Sequence, residues 1–214
     1  MKVAIVANGE LENHPRLQTI WQIADLRIAA DGGALNARQH LQLAPQIIIG
    51  DLDSLDDATR TWCKQAHAEF IQHPQAKDET DLELAIDLAI ARGANEITIL
   101  GAIGGRFDQT IANTLLLTKP AQVQISARLV SAKFEAWLAT ERATITGNIG
   151  DTVSLISITP RVEGIVTNGL QYPLRNETLI LGSPRGVSNR LIAERAEVVL
   201  AHGLLLIVHL KNTI

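Results

Sequence analysis

The amino-acid sequence predicts an α/β fold, in which a mostly parallel sheet flanked by helices is followed by an antiparallel β domain. Over residues 3–118, short runs of Ile, Val, Ala and Leu alternate with segments of helical spacing, which is typical of a parallel sheet covered on both faces. After Pro120, short alternating runs are separated by glycine turns, which favours an antiparallel sandwich or barrel. The boundary is therefore expected near Lys119-Pro120, giving domains of residues 1–119 and 120–214.

Five strands and five helices are predicted in the first domain. The strands are expected at residues 3–7, 26–30, 46–49, 69–72 and 96–100, and the helices at residues 15–24, 34–41, 56–65, 81–92 and 109–117. The fourth helix has the strongest local signals, because Thr80 and Glu83 can form a capping box and Gly93 can end the helix. Asp81 is then expected in the first helical turn.

The second domain is predicted from alternating apolar residues between turns. Strands are expected at residues 152–158, 165–168, 197–200 and 204–209, and glycines mark the turns around them. This spacing favours antiparallel pairing and leaves both a sandwich and a barrel open.

Composition and charge exclude several classes of function. The formal net charge of −4 removes a general attraction to nucleic acid or anionic membranes. The longest apolar stretch, residues 198–210, is interrupted by His202 and Gly203, and the N-terminal apolar run is too short for a signal peptide. The single cysteine, Cys63, is expected to be a packed thiol in a reducing compartment. A cytoplasmic protein without membrane or nucleic-acid partners is predicted.

Acidic residues follow four successive predicted strands. They are Asp31, Asp51, Asp53, Asp78, Asp81 and Asp108. Ligands of an open parallel sheet bind outside the carboxyl ends of its strands, so these side chains are expected at one edge. Glycine turns beside them suit phosphates, which carboxylates repel unless a divalent cation lies between. The pattern predicts nucleotide-phosphate chemistry assisted by Mg²⁺. The alternative is that each aspartate merely caps a turn or a helix, as we expect for Asp56 and Asp57.

The segment Asp51-Leu52-Asp53 is the predicted centre of the metal site. If the segment is extended, alternate side chains point the same way, so both carboxylates can meet one cation. Asp81 can complete this site from the start of its helix.

The glycine-rich segment of residues 101–109 is expected to approach a phosphate. It lacks the Gly-x-Gly-x-x-Gly spacing, and the chain contains no Gly-Lys-Ser/Thr, which argues against an ordinary dinucleotide dehydrogenase and a P-loop nucleotidase. Arg106 can supply a forked cation, and Asp108 can bind a sugar hydroxyl or a metal-bound water. A surface salt bridge is the alternative for Arg106. Lys77 is either a phosphate contact or a solvated loop lysine.

The remaining candidates have structural interpretations. The six histidines show no paired spacing typical of a metal site, and the three tryptophans lie within predicted helices or strands. We expect structural roles for the histidines and core or interface positions for the tryptophans.

Taken together, the motifs resemble the thiamine pyrophosphokinase (thiamine diphosphokinase) family. The matching segments are Asp31-Gly32-Gly33-Ala34-Leu35-Asn36, Gly50-Asp51-Leu52-Asp53-Ser54, Lys77-Asp78-Glu79-Thr80-Asp81-Leu82-Glu83, Gly104-Gly105-Arg106-Phe107-Asp108-Gln109, Asn168-Gly169-Leu170-Gln171-Tyr172-Pro173-Leu174 and Gly186-Val187-Ser188-Asn189. The resemblance implies a Rossmann-like ATP-binding domain followed by a thiamine-binding β-sandwich, in a homodimer whose active sites lie between subunits. It also implies transfer of the pyrophosphoryl group of ATP to thiamine, giving thiamine diphosphate and AMP.

The resemblance assigns roles to individual residues. Asp51, Asp53 and Asp81 would hold Mg²⁺ on the β- and γ-phosphates, with Asp31 supporting that site. The nucleotide-binding residues implied are Gly32, Gly33, Asn36, Lys77, Asp78, Thr80, Gly104, Gly105, Arg106, Asp108 and Gln109. Ser188 and Asn189 would bind the pyrimidine end of thiamine. Residues 183–195 contain no aromatic side chain for the thiazolium cation, so Tyr172 or an aromatic residue of the partner subunit would have to serve.

Two other functions remain open from the sequence. A metal-dependent phosphohydrolase could use Asp51 or Asp53 as a nucleophile, as Asp-x-Asp motifs do in haloacid-dehalogenase-like phosphatases. That family usually places its motif after the first strand, followed by Thr or Val, whereas here it follows the third strand and precedes Ser54. A nucleotide- or vitamin-sensing module without turnover is the non-enzymatic alternative.

Overall fold

A six-stranded parallel sheet forms the centre of the first of two structural units, Met1–Ala132, in a computed structural model that describes residues 1–212. Its strands are β1 Lys2–Val6, β2 Leu26–Ala30, β3 Ile47–Gly50, β4 Glu69–Gln72, β5 Glu96–Leu100 and β6 Ser126–Val130. They lie in the order β6-β5-β1-β2-β3-β4, and each adjacent pair is parallel. The chain moves outward from β1 in one direction to β4 and then from β5 to β6 in the other. The switch between these directions lies at the carboxyl ends of β1 and β5, where open α/β sheets bind ligands.

Helices cover both faces of this sheet. They are α1 Pro15–Gln22, α2 Gly33–Asn36, a π-helical segment Ala37–Leu41, α3 Asp57–Gln65, α4 Asp81–Ala91, α5 Phe107–Leu115 and α6 Thr118–Gln122. On one face, Ala4 and Val6 share a buried cluster with Leu17 and Trp21 of α1. On the other, the buried side chains of α4 pack against β1, β2 and β3. The alternation of strand side chains between two buried faces confirms the predicted α/β architecture.

The elements with the strongest sequence signals were predicted with accurate bounds. The strands β2, β4 and β5 have the predicted bounds, and α4 begins at Asp81 as expected. The predicted helix of residues 34–41 is instead a turn of α-helix continued by the π-helical segment. That segment ends at Gln42, whose φ of 59° is left-handed and stops the helix.

The structural division of the chain falls between Ala132 and Lys133, later than the expected boundary at Lys119-Pro120. Pro120 lies early in α6, where the missing N–H of a proline costs little. The following strand β6 pairs in parallel with β5 and therefore extends the first sheet.

Two antiparallel sheets form the second unit, which begins at Lys133. Its strands are β7 Phe134–Ala139, β8 Arg142–Thr146, β9 Thr152–Ser157, β10 Arg161–Asn168, β11 Arg175–Ile180, β12 Asn189–Arg190, β13 Arg195–Val199 and β14 Leu205–Leu210. One sheet has the order β12-β9-β14-β7 and the other β11-β10-β13-β8. Trp137 and Ile207 of the first sheet share a buried core with Ile145 and Val198 of the second. The unit is thus a sandwich, with β9, β10, β13 and β14 corresponding to the four predicted strands.

No helix within residues 1–212 combines the length and apolar character needed to cross a membrane. Cys63 is fully buried on α3, as expected for a packed thiol. Burial raises the pKa of this thiol to about 11, so it is protonated and unreactive at neutral pH.

A buried acid and histidine join the end of β14 to the turn before β9. The carboxylate of Asp151 lies 2.8 Å from Nε2 of His209 and accepts hydrogen bonds from the backbone N–H groups of Asn148 and Asn212 at 3.0 and 2.9 Å. Burial alone would raise the pKa of Asp151, but these hydrogen bonds together hold it below the ordinary aspartate value. His209 therefore has a structural role inside the sandwich.

The Asp151 cluster predicts a pH-dependent contribution to stability. Because the folded-state pKa is lowered, the contribution is complete above the ordinary aspartate pKa of about 4 and is lost as the pH falls through the lower folded value. Asp151→Asn should reduce the free energy of unfolding at pH 7 by about 2 kcal/mol, since the amide cannot accept all these hydrogen bonds. Denaturant unfolding at pH 3–7 measures this, with the exposed Glu194→Gln as control. An equal loss at pH 7 and pH 3 would contradict the assignment.

Candidate active site

A cleft of about 740 Å³ opens at the carboxyl edge of the parallel sheet. It is lined by the residues that follow β1, β2, β3 and β5 and by the first turns of α4 and α5. The cleft therefore includes the switch point between β1 and β5. The sequence pattern predicts the acidic side chains at this same edge.

Three carboxylates come together in this cleft. Asp31 follows β2, Asp51 follows β3, and Asp81 is the first residue of α4; one oxygen from each lies within 4.8 Å of the others. One oxygen of Asp31 and one of Asp81 are buried and have no partner of hydrogen-bond geometry among residues 1–212. Carboxylate oxygens at this spacing are the ligands that a hard divalent cation prefers. The three aspartates can therefore hold Mg²⁺.

Gly50 allows these carboxylates to approach one another. Its φ is 150°, and a Cβ at this position would lie 2.9 Å from Cβ of Asp31 and 2.9 Å from Oδ1 of Asp81. A side chain here would therefore both strain the backbone and push two members of the cluster apart.

The turn that carries Asp51 is fixed by buried contacts. Leu52 has a φ of 65° and is buried with Leu55 in the core beneath the cleft. Arg60 of α3 donates a hydrogen bond from Nη2 to the carbonyl oxygen of Leu52 at 3.0 Å. On α4, the Thr80 side chain accepts from the N–H of Glu83 and confirms the predicted helix start, which sets the position of Asp81.

Lys77 provides a positive charge beside the cluster. Its Nζ lies 2.8 Å from Oδ1 of Asp81, and only 11% of its side chain is exposed. The contact with Asp81 raises the pKa of the Lys77 ammonium. Burial raises the pKa of Asp31, and the charges of Asp81 and Asp51 act in the same direction. Repulsion among the carboxylates is thus an intrinsic property of the site.

The glycine-rich loop after β5 is held by the loop after β1. The N–H groups of Gly9 and Glu10 donate to the carbonyl oxygens of Gly101 and Ile103, both at 2.7 Å. Asn36 donates both of its amide hydrogens to the carbonyl oxygens of Ala7 and Gly9, at 2.8 Å each. This network leaves the cleft lined by closely packed backbone, into which a phosphate group can approach.

Polar contacts in the second unit fix the predicted thiamine-binding residues. Asn189 is buried; its side chain accepts from the N–H of Tyr172 at 3.0 Å and donates to the carbonyl oxygen of Tyr172 at 2.7 Å. Ser188 has a left-handed φ of 63°, and its N–H donates to the hydroxyl of Ser154. Tyr172 is 63% exposed. Asn189 thus positions the backbone of an exposed aromatic residue.

Comparison with known proteins identifies the family. The sequence model described as "Thiamin pyrophosphokinase, catalytic domain" matches residues 17–129, and the one described as "Thiamin pyrophosphokinase, vitamin B1 binding domain" matches residues 142–205. The chain belongs to the thiamine pyrophosphokinase family.

The similarity to individual relatives extends over nearly the whole chain. It is 28% identical over 208 residues to the thiamine pyrophosphokinase of Bacillus subtilis, covering 96% of this chain and 97% of that protein. It is 27% identical to thiamin pyrophosphokinase 1 of Caenorhabditis elegans, with coverages of 98% and 90%. The crystal structure of the Bacillus subtilis enzyme superposes with a TM-score of 0.88 at 27% identity and covers both chains completely. The yeast thiamin pyrophosphokinase, at 19% identity, has the same fold with a TM-score of 0.80 and coverages of 98% and 86%.

The position of Asp53 differs from the geometry expected for it. Its carboxylate accepts hydrogen bonds from Gln75 at 2.9 Å and from the Ser54 hydroxyl at 3.1 Å, and it lies outside the group formed by the other three aspartates. The expectation of an extended Asp51-Leu52-Asp53 segment is wrong, because Leu52 is left-handed and turns the two side chains apart. The family's metal role for Asp53 stays a prediction.

Arg106 and Asp108 form an exposed ion pair with each other. Nε of Arg106 lies 3.2 Å from Oδ1 of Asp108, and a second contact joins Nη2 to Oδ2. The pair raises the pKa of Arg106 and lowers that of Asp108. Arg106 lines the cleft while Asp108 does not. The salt bridge considered for Arg106 is therefore present, and the nucleotide contact of this family member stays a prediction.

Most of the predicted site residues line the cleft. They are Asp31, Asp51, Asp53, Lys77, Thr80, Asp81, Gly104, Gly105, Arg106 and Gln109. Gly32, Gly33, Asn36, Asp78 and Asp108 lie outside its lining. A Cβ on Gly33 would meet the carbonyl oxygen of Val6 at 2.1 Å, so this glycine lets α2 pack closely on β1.

Sequence reasoning missed several residues of the cleft. They are Asn8, Gly9, Glu10, Gln75, Glu79, Thr110 and Asn113. The signal for the first three was present, because a polar residue and a glycine follow the first apolar strand. Asn113 is buried on α5 and donates to the carbonyl oxygen of Ala102 at 2.6 Å, which anchors the glycine-rich loop. The spacing of residues in the sequence does not indicate such a contact.

We predict that Gly50→Ala lowers turnover at least about a hundredfold, because separation of Asp31 from Asp81 misplaces the groups around the reacting phosphate. Gly93→Ala is the matched control, since Gly93 also has a positive φ of 81° but has open space where a Cβ would lie. The control should lose only about 1 kcal/mol of stability and keep its activity. Steady-state rates and thermal unfolding of both variants test this. Normal turnover in Gly50→Ala would show that close approach at this point is not required.

Proposed function

We propose that this protein is an ATP-dependent thiamine diphosphokinase, which transfers the pyrophosphoryl group of ATP to the hydroxyethyl group of thiamine and releases AMP. Family membership over both halves of the chain supports this function. The observation that carries the proposal is the convergence of Asp31, Asp51 and Asp81 at the carboxyl edge of the parallel sheet. Acidic side chains in a phosphate-accessible cleft suit a reaction whose substrate is a metal-bound polyphosphate.

We assign Mg²⁺ to the acidic cluster. Asp51 and Asp81 would hold it together with Asp31, which has a buried oxygen without a hydrogen-bond partner among residues 1–212. The family resemblance adds Asp53, which lies in the adjacent turn outside this group. When bound, Mg²⁺ neutralises negative charge that develops on the transferred diphosphate and on the departing AMP. Replacement of any of these carboxylates removes a hard oxygen ligand.

We assign ATP to the cleft of the first unit. Backbone N–H groups of the glycine-rich loop, together with Arg106, Gln109 and Lys77, are the groups suited to bind phosphate oxygens. Arg106 has a forked guanidinium that can exchange its exposed partner Asp108 for a phosphate. These contacts would align the β-phosphorus for attack, and positioning is a large share of catalysis in phosphoryl transfer.

We assign thiamine to the second unit, with Ser188, Asn189 and Tyr172 as binding residues. The exposed ring of Tyr172 offers an aromatic face to the thiazolium cation. Arg185 would repel this cation if it were free, but it pairs with Glu177. The attacking hydroxyl belongs to thiamine, so the reaction needs no covalent nucleophile on the protein, in agreement with the buried, protonated thiol of Cys63.

A homodimer with active sites between subunits, and residence in the cytoplasm, complete the proposal. The homodimer rests on the family resemblance, and the cytoplasmic location rests on the single cysteine and the absence of a predicted signal peptide or membrane span in the sequence.

The reaction itself is tested by its products. Purified protein with ATP, Mg²⁺ and thiamine should form thiamine diphosphate with one AMP per molecule of product, and AMP formation should require thiamine. Chromatography of nucleotides and thiamine esters measures both. Orthophosphate release without AMP would identify a phosphohydrolase, and tight binding of ATP and thiamine without any product would identify a sensing module.

Replacement of single carboxylates tests the metal assignment. Asp51→Asn and Asp81→Asn should each lower turnover at least about a hundredfold, because each removes a charge from the proposed metal shell. Asp57→Asn is the control, since Asp57 is exposed in the first turn of α3 and does not line the cleft. Turnover near the unmodified rate in both cluster variants would refute the metal site.

A further inference from the structure

Lys77 contacts the acidic cluster from the loop that precedes α4. Its ammonium lies 2.8 Å from Oδ1 of Asp81, and only 11% of the side chain is exposed. The contact is an ion pair between the Lys77 ammonium and the Asp81 carboxylate. Such an attraction depends little on direction, and the flexible stem of a lysine allows the ammonium to move.

The acidic cluster needs a positive charge even before any substrate arrives. Three carboxylate oxygens within 4.8 Å of one another repel strongly, and one of the residues, Asp31, is only 6% exposed. Arg106, another cation that lines the cleft, pairs with Asp108. Arg60 donates to the carbonyl oxygen of Leu52. Lys77 is therefore the cation that contacts the cluster within the described part of the cleft.

We propose that Lys77 is an internal counter-ion, which occupies the cation position beside Asp81 and gives it up when a divalent cation binds. The Lys77 ammonium then contacts the polyphosphate that enters with the cation. The inference rests on the proposed metal site and adds to it a competition between a residue of the chain and the metal.

The competition predicts the direction in which removal of Lys77 changes the affinities for a divalent cation and for ATP. Removal of the ammonium leaves the carboxylates without compensation, so a divalent cation gains more by binding and its affinity rises. Removal also deletes a positive charge from the phosphate subsite, so the affinity for ATP falls. Opposite changes in the two affinities distinguish this role from two simpler ones. A structural salt bridge predicts that both affinities fall, and a lysine that only binds phosphate predicts an unchanged metal affinity.

The experiment compares unmodified protein with Lys77→Met in the absence of thiamine. Mn²⁺ binding to nucleotide-free protein is followed by the electron paramagnetic resonance signal of free Mn²⁺, and ATP binding by calorimetry at saturating Mg²⁺. We expect Mn²⁺ to bind Lys77→Met about tenfold more tightly and ATP about tenfold more weakly, since one unit charge is removed at contact distance. In EDTA, the variant should unfold at a lower temperature than the unmodified protein, and Mg²⁺ should raise its unfolding temperature by more.

Controls separate the proposed role from general effects of charge and folding. Lys64→Met removes a lysine that is exposed in the last turn of α3 and should change neither affinity. Circular dichroism and gel filtration check that Lys77→Met is folded; if it is not, Lys77→Gln, which keeps a polar side chain of similar length, takes its place.

Unchanged or weaker Mn²⁺ binding in the folded Lys77 variant would overturn the inference. The measurements involve no turnover, so their result is independent of the reaction catalysed. If Mn²⁺ binding tightens while no thiamine diphosphate is formed by unmodified protein, the counter-ion role stands and the proposed function fails. If thiamine diphosphate is formed normally but Mn²⁺ binding does not tighten, the proposed function stands and the counter-ion role fails.

Discussion

Mutual repulsion of three carboxylates is the constraint around which the first unit is arranged. Asp31, Asp51 and Asp81 come from three different elements, yet they place oxygens within 4.8 Å of one another. Folding must offset this repulsion with contacts elsewhere, and the buried sheet with helices on both faces supplies them. The absence of a side chain at Gly50 removes the steric barrier to the approach. A site built in this way is suited to a cation, because its packed surroundings prevent the carboxylates from separating.

The elements that sequence predicted well are those whose signal is local. Buried parallel strands such as β2 and β5 are continuous apolar runs, and the start of α4 is marked by the capping residue Thr80. These local signals are sufficient to place Asp31 and Asp81 at the same edge of the sheet. Strand β6 was not predicted, because its membership of the parallel sheet depends on pairing with β5 rather than on its own pattern.

The parts of the site that sequence could not provide depend on tertiary contacts. The side chain of Asp53 leaves the cluster because burial of Leu52 and the hydrogen bond from Arg60 fix a left-handed turn. Asn36 was expected to bind the nucleotide, but its amide joins the loop after β1 to the fold. In the sandwich, the Asn189 side chain is engaged by the backbone of Tyr172. In each case the hydrogen bonds of a motif residue are made by groups distant in the sequence, which residue spacing alone does not reveal.

The burial of Cys63 protects the single thiol of the protein from oxidation. The chain contains one cysteine and one methionine, and the thiol is enclosed beneath α3 with a pKa of about 11. Peroxide and disulfide reagents react with exposed thiolates, and this molecule presents none at neutral pH within residues 1–212. The side chains that line the cleft offer only oxygen and nitrogen atoms as polar groups. The purified protein can therefore be handled in air without a reductant, and the described residues that line the cleft contain no sulfur atom for an oxidant to attack.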